Sequence, residues 1–178
     1  GLDQYCEEVF YYQRIKTVPA IELPLPYIVS SRMNPLLIEN LLKDNYPVLL
    51  EGIHCTYYLF HGQLSNRKVL VRLHNVEYEY YGQLAKSTRD FYKKIYYKLE
   101  SRLLKKYERV ISKRTKFIAV SKKDKEMYET VFGAKYVEVL PVFLPFSEVK
   151  CEKGKGNFCM YYGNLSIAEN EKATLWLL

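Results

Sequence analysis

Four short apolar runs, Pro47-Val48-Leu49-Leu50-Glu51-Gly52, Lys68 to Leu73, Phe117-Ile118-Ala119-Val120-Ser121 and Val137-Glu138-Val139-Leu140-Pro141, constrain this chain more than any other feature. Runs of this length, rich in branched residues and broken by polar ones, read as strands buried in a sheet. Helical patterns separate the later ones. Strands that alternate with helices are joined by crossover connections, which makes the sheet parallel. The expected fold class is therefore α/β, a Rossmann-like parallel sheet flanked by helices.

The helices have their own signals. Ser31 or Asn34 is placed to cap one that begins at Pro35, with Leu37, Leu41 and Leu42 as its apolar stripe. A helix is expected near Tyr78 to Ala85, and a long one from Asp90 to Lys113. In the long one Phe91, Ile95, Leu99, Leu103, Tyr107 and Ile111 recur every four residues, with Tyr96, Leu104 and Val110 widening the stripe. Another spans Lys123 to Phe132 and stops at Gly133, as at a C-cap. Upstream, Val9-Phe10-Tyr11-Tyr12 suggests a strand, and Pro19, Pro24 and Pro26 force an extended connection. Downstream, residues 147–157 have linker composition, and Phe158-Cys159-Met160-Tyr161-Tyr162, a turn at Gly163 and a helix from Asn170 form half of a crossover unit. The expected division is a Rossmann-like domain over 1–146, a linker over 147–157 and the start of a second domain over 158–178.

Composition narrows the function classes. The chain is 48% hydrophobic and 15% aromatic, with 18 tyrosines, enough for a core. Cys6, Cys55, Cys151 and Cys159 show no Cys-x-x-Cys spacing, which argues against structural zinc or a redox pair and suits reduced thiols in the cytoplasm. No run of about 18 apolar residues and no signal peptide is present, so neither a spanning nor an exported protein is expected. The net charge of +7 is concentrated between Lys86 and Glu126, where 15 basic residues against 5 acidic leave the remainder at −3.

In open α/β sheets, ligands bind at the carboxyl edge of the strands. His74 ends the second run there, so a titratable imidazole stands where chemistry is usual. Glu51, Gly52 and His54 end the neighbouring run at the same edge. Gly52 either admits a ligand close to the backbone or only turns the chain. Asn75 is a further candidate contact, although it and Glu77 read first as caps of the next helix. Ser121 ends the third run and reads as an N-cap first and a substrate contact second.

Several stretches, taken in order, resemble the bacterial glycosyltransferases of the GT-B fold, in particular the large retaining family numbered four. They are Glu51-Gly52-Ile53-His54, Arg72-Leu73-His74-Asn75-Val76-Glu77, Glu100-Ser101-Arg102 with Tyr107-Glu108, Ala119-Val120-Ser121 with Asp124, Val139-Leu140-Pro141, and Tyr162-Gly163-Asn164-Leu165-Ser166 with Asn170. The resemblance implies two Rossmann-like domains across a cleft. Residues 1–146 would be the acceptor domain, lacking the family's first strand and helix, and 158–178 the opening of the nucleotide-sugar domain. It implies hexosyl transfer with retention from a UDP- or GDP-linked donor to a saccharide or lipid-linked acceptor, in bacterial cell-surface polysaccharide synthesis. His74 would be the catalytic residue, Glu51, Gly52, His54, Asn75 and Ser121 substrate contacts, and Gly163 and Asn164 contacts to the donor diphosphate. Where the family often has a basic residue after that glycine, Asn164 brings no charge. No metal or other cofactor is expected, in keeping with the lack of an Asp-x-Asp motif. The family's paired glutamates would lie beyond Leu178, so the 178-residue fragment alone is expected to be inactive. A cytoplasmic protein is implied, with peripheral contact to the inner face of the plasma membrane through the basic helix 90–114. Two other functions fit less of the chain. A nucleic-acid-binding module would use the same basic helix but lacks a recognised fold signature, and no nucleic-acid partner is expected. A stand-alone Rossmann-like binding domain leaves the final unit unexplained.

Overall fold

The computed structural model describes residues 4–15, 21–143, 148, 154–166 and 168–178. Its centre is a four-stranded parallel sheet of β1 (Val48–Glu51), β2 (Val69–Leu73), β3 (Lys116–Ala119) and β4 (Val137–Val139), side by side in chain order. The sheet is flanked by helices, as the alternating pattern requires.

The register sorts the side chains into two unlike faces. Leu50 pairs with Val71, Val71 with Phe117, and Phe117 with Val137, and all four are buried. The opposite parity holds Leu49, Leu70 and Lys116 in one row and Glu51, Arg72, Ile118 and Glu138 in the next. This second face is the more open one, with Leu49 54% exposed. Continuous apolar runs predict strands covered on both sides; here alternation within the runs leaves one side open.

Among the described residues seven α-helices accompany the sheet: α1 (Tyr27–Ser30), α2 (Pro35–Leu41), α3 (Tyr57–Phe60), α4 (Glu77–Ser87), α5 (Phe91–Ile111), α6 (Lys122–Thr130) and α7 (Ala168–Leu177). A 3₁₀ turn covers Ile53–Cys55. Asn34, not Ser31, caps α2 by accepting from the Leu36 amide, with Pro35 at the first helical position. The last carbonyls of α6 are met through Gly133, whose φ of +71° lets the chain turn so that the Ala134 amide reaches the Tyr128 carbonyl. The core gathers Leu73, Leu104, Tyr107, Ile111, Phe117, Tyr128 and Phe132.

Three expectations are corrected. The every-fourth-residue stripe on α5 does not form one buried face. A step of four residues overshoots a 3.6-residue turn by about 40°, so the stripe spirals around the helix. Phe91, Ile95 and Leu99 emerge exposed, Tyr107 and Ile111 are buried, and the inner face is completed by Glu100, Leu104 and Glu108. Residues 9–12 and 158–162 contain no strand. Neither segment pairs with the free edges of β1 and β4, and without a ladder partner a β-prone run has nothing to satisfy its amides. Of the expected linker, residues 147 and 149–153 lie outside the described residues, as do Pro19 and Cys151.

Candidate functional site

Glu51 and Arg72 face each other across the last register position of β1 and β2, and His74 follows two residues after Arg72. The same parity turns all three toward the open face at the carboxyl edge. His74 Nε2 lies 3.0 Å from Glu51 Oε2, and Arg72 Nη1 is 3.4 Å from that same oxygen. Glu51 accepts from Arg72 Nη1, and its carboxylate stands beside the His74 ring. The His74 and Glu51 side chains are about half exposed, 47% and 46%, so the pair is worth little as a stabilising contact and remains open to a ligand.

His54 stands on the other side of the β1 terminus, on the 3₁₀ turn. Its ring lies against Gly52, where an added Cβ would come within 2.5 Å of the imidazole Cε1. Gly52 also has φ of +91°, so the position needs glycine for backbone and for space. The space left by the missing side chain is thus taken by the chain's own histidine. Burial pushes the His54 pKa down to about 4, with Arg32, His74 and Arg14 acting in the same direction, so its ring is neutral around pH 7. His54 Nδ1 is buried without a hydrogen-bond partner among the described residues. Asn75 Oδ1 is in the same condition. With Arg72 Nε, which also lacks a partner among the described residues, three orphaned polar atoms lie next to one strand edge, which is unusual because buried polar groups are nearly always satisfied.

Asn75 and Glu77 do not cap α4. Val76 occupies the cap position with no side-chain bond, and the first amides of the helix are taken by a residue thirty positions away. Glu108 of α5 accepts from the Glu77 amide at 3.0 Å, the Tyr78 amide at 3.1 Å and the Tyr128 hydroxyl at 2.9 Å. Glu100 does the same for α1, accepting from the amides of Tyr27 at 3.0 Å and Ile28 at 2.6 Å. The amides at the start of α4 are therefore already committed and do not offer a seat to a phosphate. Glu77 instead buries its carboxyl beside the site, where desolvation pushes its pKa up to about 7 and the Arg32 charge partly opposes the rise.

Ser121 caps α6: its Oγ accepts from the Asp124 amide at 3.1 Å and donates to Asp124 Oδ2 at 2.6 Å. Gly163 and Asn164 lie in an exposed turn. The Asn164 side chain accepts from the amide and hydroxyl of Ser166, and its carbonyl accepts from Asn170 Nδ2. No hydrogen bond links this turn to the Glu51–His74 edge among the described residues.

Sequence reasoning did not single out three cations here. Arg72 could have been found by aligning the apolar runs of β1 and β2, which sets it opposite Glu51. Arg14 and Arg32 come from the irregular N-terminal segment and gave no such signal. Arg14 Nε donates to Ser31 Oγ at 2.7 Å, and Arg32 donates to the Ile28 carbonyl. Both line a groove of about 710 Å³ along β1, together with Tyr12, Glu51, Tyr57 and Tyr58. It has the makeup of a small-molecule site, mostly apolar walls with a few convergent polar groups. A second concavity of similar volume, lined by Leu49, Leu70 and Ile118 with Lys116 and Arg114, lies on the open face away from the histidines. Among the described residues no group of three or more His, Cys, Asp or Glu side chains is arranged to hold a metal, and no helix is long and apolar enough to cross a membrane.

A relative in Klebsiella pneumoniae, described as an uncharacterized 44.6 kDa protein in the cps region, is 28% identical over 186 residues. The alignment takes in 99% of this chain and 46% of that protein, so the chain spans about half the length of its curated relative. No protein-family profile matches the chain, and no solved structure matches it.

Proposed function

We propose that this chain is the acceptor-binding half of a retaining glycosyltransferase of the GT-B fold, acting from a nucleotide sugar in the synthesis of a bacterial surface polysaccharide. The observation that carries the reading is the Glu51–His74 pair, 3.0 Å apart and half exposed at the carboxyl edge of adjacent parallel strands. It is supported by the Rossmann-like sheet, by the sequence resemblance and by the location of the relative in a cps region, the genetic setting of capsule polysaccharide. The relative's greater length leaves room for a donor-binding lobe.

Retaining transfer builds positive charge at the anomeric carbon while the diphosphate departs, so the acceptor hydroxyl must be held on the face that the leaving group vacates. In this reading Glu51 fixes the His74 ring through Nε2, and Nδ1 accepts a hydrogen bond from a sugar hydroxyl. Arg72 keeps the Glu51 carboxylate in place. Gly52 and neutral His54 shape the wall beside the sugar, Arg14 and Arg32 extend it along the groove, and Asn75 Oδ1 is an acceptor waiting for a donor. Ser121 has both hydrogen-bonding roles occupied by Asp124, so its part is to position α6. Gly163 and Asn164 keep the role of diphosphate contacts, in a lobe that the rest of the polypeptide would complete.

The test is transfer of labelled hexose from UDP- and GDP-sugars to saccharide and lipid-linked acceptors by the complete polypeptide. Transfer is expected, with His74→Ala lowering turnover by about tenfold or more while the melting temperature is unchanged. Full activity in that variant, or no transfer with any donor and acceptor pair, would remove the assignment.

A further inference from the structure

The charged residues that line the groove along β1 are Arg14, Arg32 and Glu51. Glu51 is engaged by Arg72 and His74. Neither Arg14 nor Arg32 forms an ion pair among the described residues. Neutral oxygens hold them instead, Ser31 Oγ at 2.7 Å from Arg14 Nε and the Ile28 carbonyl for Arg32. Arg32 is half-buried in the wall and Arg14 stands exposed at the rim. The two cations repel: burial first, and then the Arg14 charge, pulls the Arg32 pKa down. The other titratable walls are neutral near pH 7, since burial pushes the Cys55 thiol and the Tyr58 hydroxyl up and Tyr57 to about 12. Two cations against one carboxylate thus leave the groove with a single positive charge. Beside Cys55, the buried His54 Nδ1 lacks a partner, and the charges of Arg32 and Arg14 both reach that ring.

We infer that this groove takes an acidic sugar, a uronic acid whose carboxylate lies on Arg14 and Arg32 and whose ring lies along Tyr12 and Tyr57. The inference rests on the proposed reading of the groove as part of an acceptor site and names the class of acceptor. A carboxylate presents two oxygens to the fork of a guanidinium, in the strong, charge-assisted kind of hydrogen bond. It also brings one negative charge, which matches the one positive charge of the groove. A phosphate monoester brings nearly two at pH 7 and would leave one unmatched near Glu51, between mostly apolar walls. A neutral sugar would displace water from both guanidiniums and return no charge to them. The sugar hydroxyls, able to donate or to accept, suit the unsatisfied His54 nitrogen in either tautomer.

Calorimetric titration of the 178-residue chain with methyl β-glucuronide, its uncharged methyl ester, methyl β-glucoside and phosphorylated glucose tests it. The glucuronide is expected to bind about tenfold or more tightly than the ester or the glucoside, and more tightly than phosphorylated glucose. Arg14→Gln and Arg32→Gln should each erase most of that preference. The comparison of acid with ester uses the parent chain alone, so it decides the matter even where a variant fails to fold. Equal affinity for acid and ester, tighter binding of phosphorylated glucose, no binding of the glucuronide, or a folded variant that keeps the full preference would each overturn the inference. Transfer by the complete polypeptide separates it from the function on which it rests. Hexose transfer to neutral acceptors with a kcat/KM equal to that for acidic ones would sink the acidic-sugar inference alone. Arginine-dependent binding of the glucuronide with no transfer from any donor would sink the sugar-transfer reading and leave the carboxylate site standing.

Discussion

Gly52, His54 and Glu77 show how closely individual residues are fitted around the strand edge. Gly52→Ala would force φ near +90° on a residue with a Cβ and drive that atom into the His54 ring, at a cost of about 1–3 kcal/mol. Thermal or denaturant unfolding would measure the loss, and a variant as stable as the parent would show that the ring moves aside freely. Glu77 ties stability to pH. Its pKa is raised from an ordinary 4.5 to about 7 in the fold, so its contribution favours the folded state below 4.5 and is lost as pH climbs through 7. His54 has the opposite dependence: lowered from 6.5 to about 4, it supports the fold above 6.5 and withdraws that support as pH falls through 4. Glu77→Gln should therefore melt higher than the parent at about pH 8 and much closer to it at about pH 4.5. Equal differences at both pH values would show that the carboxyl is not the titrating group.

At the scale of elements, α5 acts as a rod that supplies acceptors to two other helices. Glu108→Ala would leave the α4 amides and the Tyr128 hydroxyl without their acceptor, at about 1–3 kcal/mol for each buried group. Tyr128→Phe removes one donor and should cost about 1 kcal/mol. If Glu108→Ala unfolded no more easily than Tyr128→Phe, the carboxylate would not be what holds α4. The strands were legible because apolar runs mark them directly, and so was the cap at Ser121; the α2 cap was narrowed to Ser31 or Asn34, and both true caps have partners within three residues. The Glu100 and Glu108 caps were not, since their targets lie more than seventy and about thirty residues away and no local pattern joins them. The α5 stripe misled for a different reason: spacing by four fits a helix but drifts off any one face. Residues 158–162 have strand composition, yet a strand also needs a neighbour.

For the whole molecule, one parallel sheet with unlike faces sets where chemistry can occur. Its buried face holds the core; its open face ends in Glu51, Arg72 and His74. Sequence order showed that His74 and Glu51 share an edge, because two strand ends must meet in a parallel pair. The groove's arginines come from an irregular segment that only the fold brings near. Residues 158–166 are exposed and take no part in the sheet, and among the described residues the one hydrogen bond between α7 and α4 is the exposed one from Lys172 Nζ to the Ser87 carbonyl, so a chain ending at residue 157 should unfold with nearly the same midpoint as the full 178 residues. A large drop in stability would mean that the terminal segment belongs to this core. The most direct test of the Glu51–His74 pair is a double-mutant cycle on the proposed sugar transfer, with Glu51→Gln, His74→Ala and both together. Acting as a unit, they should show the double variant little slower than His74→Ala alone. Two independent losses that multiply, or rates equal to the parent's, would contradict a paired role at the strand edge.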